Sequence, residues 1–299
     1  MNRKLTLSTA LLLTLAPLLW AGNAIVGRLV RDAVPPMTLN LLRWSIALLI
    51  LLPLGRAMLR PQNGLWSNWR RYSLLGLTGI GLYNSLQYLA LQSSTPINVT
   101  LVASGMPVWM LLVGYLFFGA RVHRKQLIGA ALSIAGVLLV LSRGEWQQLL
   151  AMRLVAGDLY MILATIAWSF YSWLLTQAKE PAAVRADWAA YLFAQVLYGV
   201  MWSGLFAAVE SRGAAPDIHW SPTVIVALLY VAIGPAIIAF RCWGAGVQRA
   251  GPAVGAFFTN LTPLFTAVMS SAFLGEMPHV YHALAFAMIV GGIAFSSRL

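Results

Sequence analysis

The sequence predicts an all-α integral membrane protein with ten transmembrane helices, arranged as two inverted five-helix repeats. Three observations predict it: an apolar composition, ten apolar stretches of spanning length, and a weak internal repeat with an odd number of spans. Of the 299 residues, 60% are hydrophobic and 9% are charged. Soluble domains average about 45–50% apolar and about 25% charged residues, so too few charges remain here to cover a water-facing surface.

A helix needs roughly 20 mainly apolar residues to cross a bilayer. On that basis the chain has ten candidate spans, at residues 6–28, 38–55, 72–91, 98–118, 126–142, 157–176, 188–208, 222–243, 253–273 and 281–297. The connections between them are too short for a soluble domain. Arg3 and Lys4 precede the first stretch as they would in a signal peptide, but the apolar run continues into Asn23 and Gly27. We therefore expect a retained first span.

Most of the 20 Lys and Arg residues fall in connections on the side of the N-terminus. Basic residues accumulate on the cytoplasmic side of membrane proteins, so both termini are predicted to be cytoplasmic. An even number of spans agrees with this. The net charge of +12 is thus a topological signal and does not indicate a nucleic-acid partner.

Features of metalloproteins and enzymes are missing from the sequence. The single cysteine, Cys242, excludes an intramolecular disulfide, and His279 and His282 are expected to be interfacial residues, not metal ligands. No HExxH motif, pair of catalytic carboxylates or Ser/His dyad lies at membrane depth. We predict no metal, no cofactor and no enzymatic activity.

The two halves of the chain resemble each other weakly. A shift of 156 residues, or of 148 near the start of each half, aligns Gln92 with Gln248, Pro107 with Pro263, and Trp20 with Trp168. The predicted domains are residues 1–148 and 149–299, with five spans each. A five-span unit ends on the opposite side from where it began, so the second copy enters the membrane inverted. Many secondary transporters share this architecture and bind substrate near the midplane.

Five stretches carry a resemblance to a known family: "LLWAGNAIVGR", "LRWSIALLILLP", "GMPVWMLLVGYLFFGARV", "GDLYMILATIAWSFYSWLL" and "LTPLFTAVMSSAFLGEMP". Over nearly its whole length the chain resembles the EamA-type permeases of the drug/metabolite transporter superfamily, and most of all their bacterial aromatic amino-acid exporters. The resemblance implies export of aromatic or hydrophobic amino acids across a bacterial inner membrane. Many members have a glutamate after the glycine in both halves, whereas here Gly275-Glu276 corresponds to Gly119-Ala120. Glu276 is therefore a poor candidate for a symmetric coupling pair.

Polar and aromatic residues inside the spans are the candidates for substrate binding. Trp20 and Trp168 lie near the middle of symmetry-related spans, and Asn23 and Tyr171 follow them by three residues, on the same helix faces. The alternative is that both tryptophans only pack against lipid or neighbouring helices. These four residues are predicted to flank a midplane cavity.

The third span has Tyr83, Asn84 and Gln87, which should face protein or water because lipid offers no hydrogen-bond partner. At the shift of 156, Asn84 and Gln87 correspond to Phe240 and Trp243, so the cavity would combine amides and a phenol with aromatic rings. Hydrogen bonding between helices is the alternative. The glycine-rich run "GLTGIG" at 76–81 lacks the strand and helix of a phosphate-binding loop, and we expect it to permit close helix packing.

Ser104 and Asn260 also correspond at the shift of 156, and Pro107 and Pro263 follow them by three residues. The prolines are predicted to be hinges, with simple structural kinks as the alternative. The predicted substrate-binding residues are Trp20, Asn23, Tyr83, Asn84, Gln87, Ser104, Trp168, Tyr171, Trp243 and Asn260.

Two arginines, Arg43 and Arg241, lie within predicted spans, where a charge by default suggests function. We expect both to snorkel toward the surface or to pair structurally, and the alternative is that Arg43 attracts a substrate carboxylate. All eight acidic residues fall in connections or at span ends. We therefore predict facilitated or at most weakly proton-coupled export.

Two other functions stay open: a broader drug or metabolite exporter, and a membrane scaffold that transports nothing. The partners predicted are a small-molecule substrate and the lipid bilayer. One chain contains both halves of a pseudo-symmetric site, so a monomer suffices.

Overall fold

The structure, a computed structural model, describes residues 5–94, 99, 102–142, 144–145, 147, 150–151, 155–212, 217–274 and 280–297. Within them the regular secondary structure is helical. In chain order the α-helices are α1 (Leu7–Leu29), α2 (Pro36–Gly55), α3 (Trp69–Leu75), α4 (Tyr83–Ser93), α5 (Met106–Phe118), α6 (Arg124–Leu141), α7 (Ala156–Thr176), α8 (Ala182–Ala186), α9 (Trp188–Ser211), α10 (Pro222–Val231), α11 (Ala239–Ala250), α12 (Pro252–Thr259), α13 (Leu261–Leu274) and α14 (Val280–Ser297). Short 3₁₀ turns at Arg56–Leu59 and Pro61–Asn63 follow α2.

Several helices are long and apolar enough to cross a membrane. Among the described residues five segments meet that description: Leu7–Gly27, Pro36–Leu59, Ala156–Thr176, Trp188–Ser211 and Pro222–Ala250. Met106–Phe118 and Ala283–Ser296 are shorter apolar helices. Large apolar side chains such as Leu49, Phe117 and Val226 are exposed on the outside, as expected where lipid is the solvent. The chain is therefore a multi-pass, all-helical membrane protein, while the count of ten spans stays a prediction.

Two π-helical segments interrupt long helices. The first π segment, Gly76–Leu82, joins α3 to α4, and the second, Ala232–Ile238, joins α10 to α11. Each irregularity receives a side-chain hydrogen bond from another helix. Asn40 Nδ2 donates to the Ile80 carbonyl at 3.2 Å, and Trp20 Nε1 donates to the Pro235 carbonyl at 3.2 Å. Irregular backbone at membrane depth is tolerated where protein groups satisfy it in this way.

Helix starts are fixed by side chains that accept hydrogen bonds from the first free backbone N–H groups. Thr6 caps α1, and Asp187 caps α9 by accepting from two backbone N–H groups. The first turn of α2 is capped from another helix: the Glu210 carboxylate accepts from the backbone N–H groups of Met37 and Thr38 at 3.0–3.1 Å. These acidic residues therefore have structural roles at helix ends.

Glycines permit the closest helix contacts. The helices α6 and α14 pack so tightly that a Cβ added at Gly292 would lie 2.7 Å from the Gly129 carbonyl oxygen. A Cβ added at Gly129 would lie equally close to the Gly292 carbonyl oxygen. A Cβ added at Gly76 would lie 2.6 Å from the backbone nitrogen of Gly199 on α9. Small residues let membrane helices approach in this manner. The packing interpretation of the glycine-rich run at 76–81 is confirmed.

A buried ion-pair network holds the end of α7 that is predicted to face the cytoplasm. The side chain of Glu180 is 0% exposed and pairs with Arg71 at 2.8 Å and with Arg185 at 3.1 Å. Tyr191 donates a third hydrogen bond to the same carboxylate. Both arginines also donate to the Gln177 carbonyl, just beyond the last turn of α7. The network therefore ties α3, α8 and α9 to that helix end.

Candidate functional site

Aromatic side chains from α1, α4, α7 and α11 meet in the interior. We call this group the aromatic cage; its members are Trp20, Tyr83, Trp168, Tyr171, Phe240 and Trp243. Trp168 lies at its centre, with its ring centroid 5.2 Å from that of Trp20 and 4.8 Å from that of Tyr83. It is 5.0 Å from Tyr171 and 5.5 Å from Trp243. These are the spacings at which aromatic pairs attract one another.

Hydrogen bonds and close packing fix the orientation of the rings. Trp243 Nε1 donates to Ser172 Oγ at 3.1 Å, which joins α11 to α7. The Tyr171 hydroxyl donates to Gln195 Oε1 at 3.0 Å. The Tyr171 ring also covers Gly79 of the first π segment, where an added Cβ would lie 2.5 Å from a ring carbon. The cage is therefore held by polar partners at its periphery, and its six rings pack against one another around Trp168.

A buried arginine lies beside the cage. Arg43 on α2 is 1% exposed, and its Nη1 donates to Asn23 Oδ1 at 3.3 Å, to Asn84 Oδ1 at 3.2 Å and to the Tyr88 hydroxyl at 3.0 Å. We call these four residues the Arg43 cluster. Its members come from α1, α2 and α4. A guanidinium with this exposure cannot be snorkelling, so that part of the interpretation is wrong, whereas structural pairing, here with neutral groups, is confirmed.

The cage and the Arg43 cluster are adjacent. Tyr83 belongs to the cage and its neighbour Asn84 to the cluster. The Arg43 guanidinium carbon lies 5.2 Å from the ring centroid of Trp44, and that ring is 4.8 Å from the ring of Phe240 in the cage. An apolar aromatic surface thus meets a cationic, amide-rich one, which suits a ligand with a flat apolar part and an anionic end.

The structure brings together seven of the predicted binding residues. Five belong to the aromatic cage, and Asn23 and Asn84 belong to the Arg43 cluster. The half-buried Gln87 is a member of neither group. Asn260 donates from Nδ2 to Ser133 Oγ on α6 at 2.9 Å, a helix-to-helix contact, which is the alternative weighed for polar residues in spans. Ser104 is buried and belongs to neither group.

Both predicted hinge prolines follow an interruption of a helix. Pro107 is in the first turn of α5, a helix that begins directly after Ser104 and Gly105. Pro263 is in the first turn of α13, which begins directly after Asn260. A proline in a first turn loses no helical hydrogen bond. The helix breaks therefore precede the prolines, and hinge motion at them stays a prediction.

Several residues that the structure places in these groups are not among the predicted binding residues. Tyr88 and Arg43 complete the cluster, Phe240 completes the cage, and Trp44 connects the two. Phe240 was indicated only as the counterpart of Asn84. The available signal was Arg43 itself, because a charged residue within a predicted span indicates function by default.

Two other charged residues that the structure describes, Arg241 and Asp158, do not join the site. Arg241 is exposed, with its guanidinium carbon 4.2 Å from the ring centroid of Trp188. Asp158 is buried and caps α7 by accepting from the Val155 backbone N–H at 2.8 Å and from the Ser94 hydroxyl. Glu276 lies outside the described residues. No group of three or more His, Cys, Asp and Glu side chains in the described part of the chain could hold a metal ion.

The sequence matches a known family along most of its length. The model of the EamA-like transporter family matches twice, at residues 7–142 and 155–298. A solved crystal structure superposes with a TM-score of 0.74 over 96% of each chain at 23% sequence identity, which shows that the fold is shared.

Several relatives align over most of the chain. An uncharacterized transporter of Archaeoglobus fulgidus is 28% identical, over 95% of this chain and 96% of its own. The aromatic amino acid exporter YddG of Ancylobacter novellus is 26% identical, over 95% of both chains. A probable amino-acid metabolite efflux pump of Escherichia coli is 26% identical, over 79% of this chain and 76% of its own. All three carry the names of transporters, exporters or efflux pumps, and together with the family match they point to a transporter and not an enzyme.

Proposed function

Because the chain belongs to the EamA-like transporter family, we propose that it exports aromatic or hydrophobic amino acids across the bacterial inner membrane by alternating access. The observation that carries this proposal is the aromatic cage. Its six rings meet in the interior around Trp168, which is 1% exposed. A ligand ring that enters between them replaces contacts among the protein rings by contacts between the ligand ring and those rings. Each such aromatic pair contributes about 0.5–1.5 kcal/mol beyond area burial.

The relatives support an amino-acid substrate. One is named as an aromatic amino acid exporter and another as a probable amino-acid metabolite efflux pump. At 26% identity their substrates come to this chain only as part of the proposal. The cage adds a reason within this chain to prefer aromatic side chains over small ones.

We propose further that the helices form ten spans in two inverted repeats, residues 1–148 and 149–299, with both termini in the cytoplasm. The two π segments support this, because the second begins 156 residues after the first, the shift that aligns Pro107 with Pro263. The packing supports it as well: α4 contacts α7, and α11 contacts α1, which are equivalent pairs under an exchange of the halves. Both halves contribute rings to the cage, so a monomer contains a complete site.

The acidic residues favour uncoupled or weakly coupled transport. Proton relays usually place a carboxylate or histidine within the membrane. Of the described acidic side chains, Asp158 and Glu210 cap helix ends and Glu180 is paired with two arginines. Each therefore has a structural role, and flux down the substrate gradient is the simpler mechanism.

The test is uptake of labelled tryptophan, phenylalanine and alanine by liposomes that contain the purified protein, with and without a pH gradient. We expect saturable flux of the aromatic amino acids and at least a tenfold loss, equivalent to about 1.4 kcal/mol, in Trp168→Ala. Trp220→Ala is the control, because Trp220 is 59% exposed and outside the cage. It should transport like the unmodified protein.

Three results would contradict the proposal in different ways. Equal flux of alanine and tryptophan, or of unrelated drugs, would favour a broader metabolite exporter. Flux that requires a pH gradient would refute uncoupled transport alone. No flux of any solute from a folded, reconstituted protein would favour a membrane scaffold.

A further inference from the structure

Arg43 is a buried charge without an opposite charge beside it. It is 1% exposed, and among the ion pairs formed by the described residues none includes it. Its hydrogen-bond acceptors are two amide oxygens and a phenol, all uncharged. Removing a guanidinium from water costs several kcal/mol, which only a paired anion compensates well. By contrast, Arg71 and Arg185 share the Glu180 carboxylate.

Unused hydrogen-bond donors accompany the charge. Within the described part of the chain, Arg43 Nε and Asn84 Nδ2 are buried and have no hydrogen-bond partner, and the same holds for Nε1 of the neighbouring Trp44. All three are N–H groups, so what the site lacks is an acceptor. Buried donors are nearly always satisfied in native proteins, and exceptions require an explanation.

We propose that the Arg43 cluster binds the carboxylate of the transported amino acid, with Arg43 as its counterion. This rests on the proposed function and deepens it, because it requires a substrate with a free carboxylate next to its aromatic side chain. The carboxylate accepts from Arg43 Nε and Asn84 Nδ2 and neutralises the buried guanidinium. The side chain of the same molecule extends from Asn84 past Tyr83 into the aromatic cage.

Arg43→Met has two opposing effects on stability. It removes the cost of a buried charge that has no anionic partner, and it leaves Asn23, Asn84 and Tyr88 without their shared donor, which is destabilising. Ligand selectivity, and not the melting temperature, therefore distinguishes a substrate counterion from a structural arginine.

The binding test uses four ligands with one ring: phenylalanine, phenylalaninamide, phenethylamine and 3-phenylpropionate. Each competes with labelled phenylalanine for the purified full-length protein in detergent. In the unmodified protein we expect phenylalaninamide to bind about 10- to 100-fold more weakly than phenylalanine, the range of a charge-assisted hydrogen bond. In Arg43→Met the two should bind alike, and Arg43→Lys should restore part of the preference.

Because the ligand series is first read in the unmodified protein, the test does not depend on whether a variant folds. Equal affinity for phenylalanine and its amide overturns the carboxylate site and leaves aromatic export intact. A carboxylate preference that persists in Arg43→Met overturns the role of Arg43. Binding of none of the four ligands overturns both the carboxylate site and the proposed function.

Discussion

The contact between α6 and α14 makes a quantitative prediction that two neighbouring residues can test. Gly291 and Gly292 lie next to each other in α14, so each substitution by alanine gains the same helix propensity, about 1 kcal/mol. Their surroundings differ. A Cβ at Gly291 would lie 3.5 Å from the Leu132 side chain, an ordinary contact, whereas one at Gly292 would lie 2.7 Å from the Gly129 carbonyl oxygen.

The steric cost at Gly292 follows from that distance. Carbon and carbonyl oxygen normally approach to about 3.3–3.6 Å, so Gly292→Ala must separate the two backbones by about 0.6–0.9 Å from the 2.7 Å contact. No flexible side chain can yield in their place. Overpacking of this kind costs about 1–3 kcal/mol, and we expect that difference in stability between Gly292→Ala and Gly291→Ala.

Thermal unfolding of both purified variants in the same detergent measures the difference, with the folded fraction read by size-exclusion chromatography. Gly292→Ala should melt several degrees below Gly291→Ala, and Gly129→Ala should resemble Gly292→Ala because it makes the reciprocal clash. If Gly292→Ala melts together with Gly291→Ala or above it, α6 and α14 do not pack through these glycines.

Two further predictions concern buried polar groups. Glu180→Gln should lower stability by about 3–5 kcal/mol, the usual cost of breaking a buried ion pair. Asp32→Asn, in an exposed pair, is the control and should leave the melting temperature unchanged. Equal effects of the two substitutions would refute the role of the Glu180 network. Tyr171→Phe leaves buried Gln195 Oε1 without its donor and should lower stability by about 1–3 kcal/mol in the same unfolding assay, while an unchanged melting temperature would show that this hydrogen bond contributes nothing.

Composition and hydropathy were sufficient to predict an all-helical membrane protein, and symmetry between the halves was sufficient to pair Trp20 with Trp168. Their rings meet at 5.2 Å. The proposed two-fold symmetry would explain this contact, because a duplicated chain places equivalent residues on either side of one axis. The same reasoning suggested Asn260, whose partner is Ser133 on α6, since residue type alone does not distinguish a substrate contact from a contact between helices.

The environment of Arg43 could not be predicted from the sequence. Its three partners lie 20 to 45 positions away on other helices, and only packing decides whether a guanidinium near a helix end reaches the surface or turns inward. The π segments were also beyond prediction. Apolar periodicity reports which face of a helix is buried, and it is insensitive to one extra residue in a turn.

That extra residue determines which way the site residues point. A π segment contains about one more residue than an α-helix of the same rise, so it rotates the angular register of the helix that follows by about 100°. Tyr83 and Asn84 directly follow the first π segment, and Phe240 and Trp243 follow the second. Deleting one residue from either segment would restore continuous α-helix and turn those side chains away from their present partners. One additional residue in the backbone of each half therefore sets the orientation of these four side chains toward the proposed binding site.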